Sequence, residues 1–264
     1  MHSLKSITDD RGVLTLTMHR PEVHNAFNAD MIAELSDTLI AADKDDSVRI
    51  VVITGSGSSF SAGADLNWMR SLVDASEADN EADALRLAKL MRSLNYLSKP
   101  TIARVNGAAF GGGVGLIAAC DISVAVDDTL FGLTEARLGL APAVISPYVI
   151  RSIGERNARR YFLSGERFDS HKAMDIGLVQ QTVPVDVLDE AVERVIGELL
   201  RSGPKAVSHC KQLVFGIAGH NMAAQQAVDE YTARLIAGLR VSAEGQEGLS
   251  AFLEKRKPDW ADGT

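Results

Sequence analysis

Cysteine is almost absent from the 264 residues: Cys120 and Cys210 stand alone, ninety residues apart. Two such thiols make neither a disulfide framework nor a metal-ligand spacing, and their apolar or helical surroundings predict buried, inert side chains. No metal site is expected. Cationic excess is missing too. Lysine plus arginine is 27 against 35 acids, a net charge of −8, so no basic face for nucleic acid is advertised. The uncharged stretches at 107–120 and 138–150 fall short of the ~18–20 residues a membrane span needs. The opening Met1-His2-Ser3-Leu4-Lys5 has no apolar signal core and no arginine-rich amphipathic stretch, which predicts a cytoplasmic protein without membrane attachment. Several catalytic signatures are also lacking: no Walker A pattern, no His-Glu-x-x-His and no Gly-x-Ser-x-Gly. Ser208-x-x-Lys211 matches a serine–lysine dyad without its companion motifs and reads as a solvated helix face.

What is present is an ordinary globular balance, 46% hydrophobic and 23% charged, without repeats, linkers or low-complexity tracts. In the first half strand and helix signals alternate. Residues 12–18 read as a strand ended by Arg20-Pro21, and 49–54 as a nearly all-apolar strand buried on both faces. Asn28 caps a helix to about Ala42, with Ile32, Leu35 and Leu39 at helical spacing. A helix over 81–97 precedes a strand at 101–105, and a further strand follows Asp121. Beyond Ser146 the texture is mostly helical, with one strand near 179–183 and helices over 188–199, 204–217, 223–237 and 243–256. The pattern predicts one α/β core followed by a helical extension.

Two small-residue turns stand out. Phe60-Ser61-Ala62-Gly63-Ala64-Asp65-Leu66 follows the 49–54 strand and precedes a short helix over 65–70, and a glycine cluster at 111–113 follows the 101–105 strand. Small side chains admit close ligand approach, and amides at a helix start are unsatisfied donors at the positive end of the dipole. Facing each other, the turns would place two N–H donors on one oxygen, an oxyanion hole; tight helix–strand packing explains the same residues equally well. Gly113-Val114-Gly115-Leu116-Ile117-Ala118, with Glu135 about twenty residues on, also fits a dinucleotide fingerprint. Its mid-chain position, the extra Gly111-Gly112 pair and the broken strand before the acid speak against that alternative.

Phe60-Ser-Ala-Gly-Ala-Asp65, Asn106-Gly-Ala-Ala-Phe-Gly-Gly-Gly113 with Ala119-Cys-Asp121, and Phe131-Gly-Leu-Thr-Glu-Ala-Arg-Leu-Gly139 resemble the signatures of the enoyl-CoA hydratase/isomerase (crotonase) family. Arg20-Pro21 through Asn25-Ala26, Gly165-Glu-Arg-Phe168, Ala173 through Val179 and Ala251-Phe-Leu-Glu-Lys-Arg256 extend the resemblance nearly end to end. It implies a spiral of ββα turns over residues 1–200 and a helical region over 201–264 that forms trimers, often paired into hexamers. The implied substrate is an acyl-CoA thioester; coenzyme A is part of it and no separate cofactor is needed.

By motif position, the resemblance makes Ala64 and Gly112 the oxyanion donors to a thioester enolate and Glu135 the acid–base group. It places Val23, Asn25, Ala26, Ala62, Asp65 and Leu66 along the CoA arm, Pro142 at the acyl site, and Phe252 and Lys255 at the CoA of a neighbouring subunit. The second glutamate of the family's hydratases is missing, and Gly115 stands in its place. A glycine there is expected to leave room for a substituent on the β-carbon. With Ser61–Met69 and the Ala141-Pro142-Ala143-Val144-Ile145-Ser146-Pro147 run, it is most similar to hydratases of 3-methylglutaconyl- or isohexenylglutaconyl-CoA, in leucine and acyclic-terpene breakdown. The alternatives are a Δ3,Δ2-enoyl-CoA isomerase using Glu135 alone, or a catalytically weak CoA-binding subunit. Arg70 and Arg137 are candidate partners for a substrate carboxylate.

Overall fold

A computed structural model describes residues 3–261. The chain begins with a β-hairpin, β1 (Leu4–Thr8) and β2 (Val13–Met18), then α1 (Ala29–Lys44), β3 (Ile50–Gly55) and β4 (Ser59–Ser61). Helices α2 (Leu66–Val73) and α3 (Glu77–Asn95) lead to β5 (Thr101–Val105), β6 (Ala108–Phe110), α4 (Gly112–Ala119), β7 (Ile122–Val126) and β8 (Leu130–Gly132). The second half contains α5 (Ser146–Ser164), β9 (Arg167–Asp169), α6 (Ser170–Asp175) and β10 (Gln181–Val183). Four helices close the chain: α7 (Leu188–Leu200), α8 (Pro204–Ile217), α9 (Met222–Val241) and α10 (Ala243–Glu254).

Six strands form one sheet in the order β1-β2-β3-β5-β7-β10, parallel except for the opening hairpin. Its central strands are covered on both faces, which is why the 50–55 run is apolar without alternation. Val51, Ile53, Ala103, Val105 and Ala125 face the main core, while Ile50, Val52, Ile102 and Val124 pack against Leu188, Ala191, Val192 and Ile196 of α7. Strands β4, β6, β8 and β9 make a second, smaller sheet. Each has only three residues, too few for a periodic hydrophobic signal, and none was anticipated as part of a sheet. Asn28 caps α1 as expected, accepting from the Met31 N–H at 2.9 Å.

The loop before α1 is locked by Asn25, which is fully buried at φ 55°. Its Nδ2 donates to the carbonyls of Ser56 and Ser59 (both 2.8 Å), and its Oδ1 accepts from the Arg20 N–H at 3.0 Å and the Ser56 hydroxyl at 3.2 Å. Asp65 is equally committed. It caps α2 through the Asn67 and Trp68 amides and pairs with Arg20 at 2.8 Å. Two surface expectations are corrected. Cys210 is exposed, because α8 has no buried residue, and Lys211 is held at 2.9 Å from Asp121 instead of pointing into solvent. Among the described residues no helix is long and apolar enough to cross a membrane, and no group of acids, histidines or cysteines could hold a metal ion.

Replacing Asn25 with alanine strands two buried carbonyls and an amide at once and leaves a positive φ without the side chain that best tolerates it. Chemical denaturation of Asn25→Ala should show a loss on the order of 3 kcal/mol with an unchanged m-value.

Candidate active site

The small sheet creates the site. Strands β4, β6 and β8 run parallel and adjacent, with Ser61 paired to Ala109 and Ala109 to Phe131. Their C-terminal ends therefore lie side by side. The segments that leave those ends are Ala62-Gly63-Ala64, Gly111-Gly112 and Leu133-Thr134-Glu135, and all three reach one cavity of about 390 Å³.

The Ala64 turn is set by Phe27, whose N–H donates to the Gly63 carbonyl at 2.6 Å and whose carbonyl accepts from the Asp65 N–H at 2.8 Å. This bridge engages the groups flanking Ala64 and leaves the Ala64 amide without an acceptor among the described residues. Gly112 opens α4, where the first amides of a helix have no intrahelical partner. Two glycines are obligatory here. At Gly63 (φ 89°) an added Cβ would lie 3.1 Å from the Phe110 carbonyl oxygen, and at Gly111 (φ 48°) an added Cβ would lie 3.1 Å from Glu135 Oε1. Gly112 itself packs on the Phe27 ring.

Glu135 heads a one-turn 3-10 helix ending at Leu138. Its Oε2 is buried with no hydrogen-bond partner. Burial without a compensating cation pushes its pKa up to about 7. That is the range in which one group can take and return a proton near neutral pH. A carboxyl with one buried, unpartnered oxygen and the two amide-bearing turns of Ala64 and Gly112 thus line one cavity at the three strand ends.

Of the residues expected at the site, Ala62, Ala64, Gly112, Glu135, Pro142 and Phe252 line this cavity, and Arg137 joins them. Val23, Asn25, Ala26, Asp65, Leu66 and Lys255 do not, and neither does Arg70, which donates to Asn67. The side chains of Asn25 and Asp65 are consumed by the internal bonds described above. Gly115 is a correction. It does not line the cavity, and a Cβ on it would lie 2.8 Å from Ile145 Cβ. The room left by the missing glutamate is filled by Ile145, which itself lines the cavity.

Unforeseen wall residues come from five elements: Trp68, Met69 and Leu72 of α2, Leu87 of α3, Arg167 of β9, Ile236 and Arg240 of α9, and Leu249 of α10. A helix over 223–237 is expected from the sequence, but nothing local says which surface it meets.

A family model for enoyl-CoA hydratase/isomerase matches residues 8–263. The chain belongs to that family and has its crotonase-like fold. It is 35% identical to the 2,3-dehydroadipyl-CoA hydratase of Escherichia coli K12, over 96% of this chain and 97% of that protein. It is 32% identical to the trans-2-decenoyl-[acyl-carrier-protein] isomerase of Streptococcus mutans, over 94% of each. The crystal structure of an enoyl-CoA hydratase from Shewanella pealeana superposes with a TM-score of 0.79 at 42% identity, covering 98% of this chain and 96% of that one. Enoyl-CoA hydratase/isomerase chemistry is thereby supported, with hydratases and an isomerase both among the relatives.

The raised pKa has two measurable consequences. A base that must be ionised to act gives a kcat/KM that rises with pH through about 7, and Glu135→Gln should remove that limb while lowering turnover at least ~100-fold. Stability moves the other way. A carboxyl titrating near 7 folded and near its ordinary 4.5 unfolded favours folding less and less as pH rises through that window. Glu135→Gln should therefore melt above the wild type at pH 8 and together with it at pH 4, as calorimetry would register.

Proposed function

We propose that this chain is a hydratase for a branched, carboxylated 2-enoyl-CoA of the 3-methylglutaconyl or isohexenylglutaconyl type, with Glu135 as its sole acid–base group. The observation that carries the reading is the buried, unpartnered Oε2 of Glu135 in the same cavity as the Ala64 and Gly112 amides, which have no acceptor among the described residues. The Glu135 carboxylate takes a proton from a water molecule as its oxygen bonds to C3. Electrons move from the C2–C3 double bond onto the thioester oxygen, where the Ala64 and Gly112 amides hold the developing enolate. Preorganised donors of this kind contribute ~3–4 kcal/mol each to the transition state. Protonated Glu135 then returns the proton to C2, the thioester re-forms, and the glutamate is ready for the next turnover. Because one group serves both carbons, water and proton add to the same face.

The carboxylated substrate is supported by the arginines that line the cavity and by the dicarboxylic acyl group named for the Escherichia coli relative. An isomerase reading stands on the same carboxyl, which can carry a proton between C2 and C4 without any water; the Streptococcus relative is named for such a reaction. Purified protein given a panel of 2-enoyl and 3-enoyl thioesters should hydrate the former. Formation of the conjugated isomer from the latter, without hydration, would replace the first reading with the second.

Ile145 changes what a restored glutamate can do. Gly115→Glu should lower turnover of straight and branched substrates alike, because the side chain meets Ile145 before it meets substrate, at a cost of about 1–3 kcal/mol. Pairing it with Ile145→Ala should recover straight-chain activity, and failure of the pair to outperform the single variant would remove Ile145 from the explanation.

The trimeric or hexameric assembly is also a proposal. Helix α8 leaves Leu213, Val214 and Ile217 at 64–84% exposure, more contiguous apolar surface than an isolated helix keeps in water. Light scattering should return a trimer or a hexamer; a stable monomer would contradict the assignment.

A further inference from the structure

Four arginines line the cavity, and their surroundings separate them. Arg256 is neutralised by Glu247 and by Glu254, the latter at 2.7 Å. Arg137 is exposed, and Arg167, also exposed, lies with its guanidinium 5.2 Å from the centre of the Phe110 ring. Arg240 differs from all three. Its side chain is 13% exposed, and the cavity it reaches carries the apolar wall of Met69, Leu72, Ile236 and Leu249.

The chain satisfies Arg240 poorly. Of its five N–H groups, one donates to Asn80 Oδ1 at 3.3 Å. The nearest carboxylate oxygen, Asp83 Oδ2, lies 3.6 Å from Nη1, outside hydrogen-bond range, and makes no hydrogen bond at all. The other oxygen of Asp83 is taken by Arg86 at 2.9 Å. One buried acid therefore serves two arginines, the solvent-exposed Arg86 and the cavity-lining Arg240, and most of the Arg240 N–H groups have no acceptor among the described residues. A guanidinium removed from water is strongly favoured to find a planar anionic partner.

We propose that Arg240 is the specificity-determining anchor for a carboxylate at the distal end of the acyl chain, selecting CoA thioesters of dicarboxylic acids over their uncharged counterparts. The proposal rests on the reading above that the cavity holds an acyl-CoA. A charge-assisted pair in such a site separates matched ligands by roughly 10- to 150-fold.

The test uses binding of unreactive saturated thioesters, so that it does not depend on turnover. Calorimetry should show the wild-type protein binding glutaryl-CoA or adipyl-CoA at least 10-fold more tightly than valeryl-CoA or hexanoyl-CoA of the same length. Arg240→Met, which keeps the stem and removes the charge, should abolish that preference while leaving the uncharged thioesters within about threefold. Because Arg240→Met leaves Asp83 with Arg86 alone, the double variant with Asp83→Asn removes both buried charges and should show the same lost preference in a folded protein. No preference in the wild type, or a preference that survives in both variants, overturns the proposal. Absence of hydration of the unsaturated thioesters, with the binding preference intact, overturns the hydratase reading and leaves the anchor standing.

Discussion

Parallel pairing of three very short strands is the constraint on which the rest of the structure depends. With β4, β6 and β8 adjacent and pointing the same way, the chain leaves each at the same edge. Whatever follows them must share one small volume. Two of the exits are glycine turns with left-handed backbone at Gly63 and Gly111, and the third carries a glutamate. A Cβ at Gly111 would come within 3.1 Å of Glu135 Oε1, so the backbone and the acid are fitted to each other. The large sheet and its helices supply the rigidity that holds three-residue strands in register.

That geometry imposes an electrostatic cost. Glu135 is half-buried as a residue, its Oε2 is fully buried with no hydrogen-bond partner among the described residues, and its ionised form is disfavoured relative to water. A stabler protein would place a cation or a donor there. Leaving the carboxyl unpaired keeps its proton transferable near neutral pH, the condition for one residue to act first as base and then as acid. The absence of a second carboxyl at Gly115 fits this economy. Ile145 occupies that volume and presents a hydrocarbon wall to the cavity.

The long elements were legible because their signals are local and repeated: the nearly all-apolar β3, the Asn28 cap of α1, and the amphipathic face of α7. The four strands of the small sheet were not, since three residues interrupted by glycine carry no period. At the site, the glycine turns and Glu135 were legible as motifs, and resemblance assigned their roles. The segments carrying Asn25 and Asp65 are expected to hold the CoA arm largely through backbone groups, and the side chains of these two residues hold the loops themselves, a role that only the hydrogen-bond partners reveal. Gly115 misled for a related reason. A glycine signals missing volume, but what fills that volume comes from Ile145, thirty residues on, and no pattern in the chain links the two. Arg240 was invisible because its importance lies in poor pairing across α3 and α9.

The claim that one carboxyl performs both proton transfers is tested most directly by the stereochemistry of addition in D2O. Hydration of a 2-enoyl thioester by this protein, followed by NMR of the 3-hydroxyacyl product, should place the C2 deuterium and the C3 oxygen on the same face. Anti addition would require a second group on the opposite side of the substrate and would contradict the single-glutamate account.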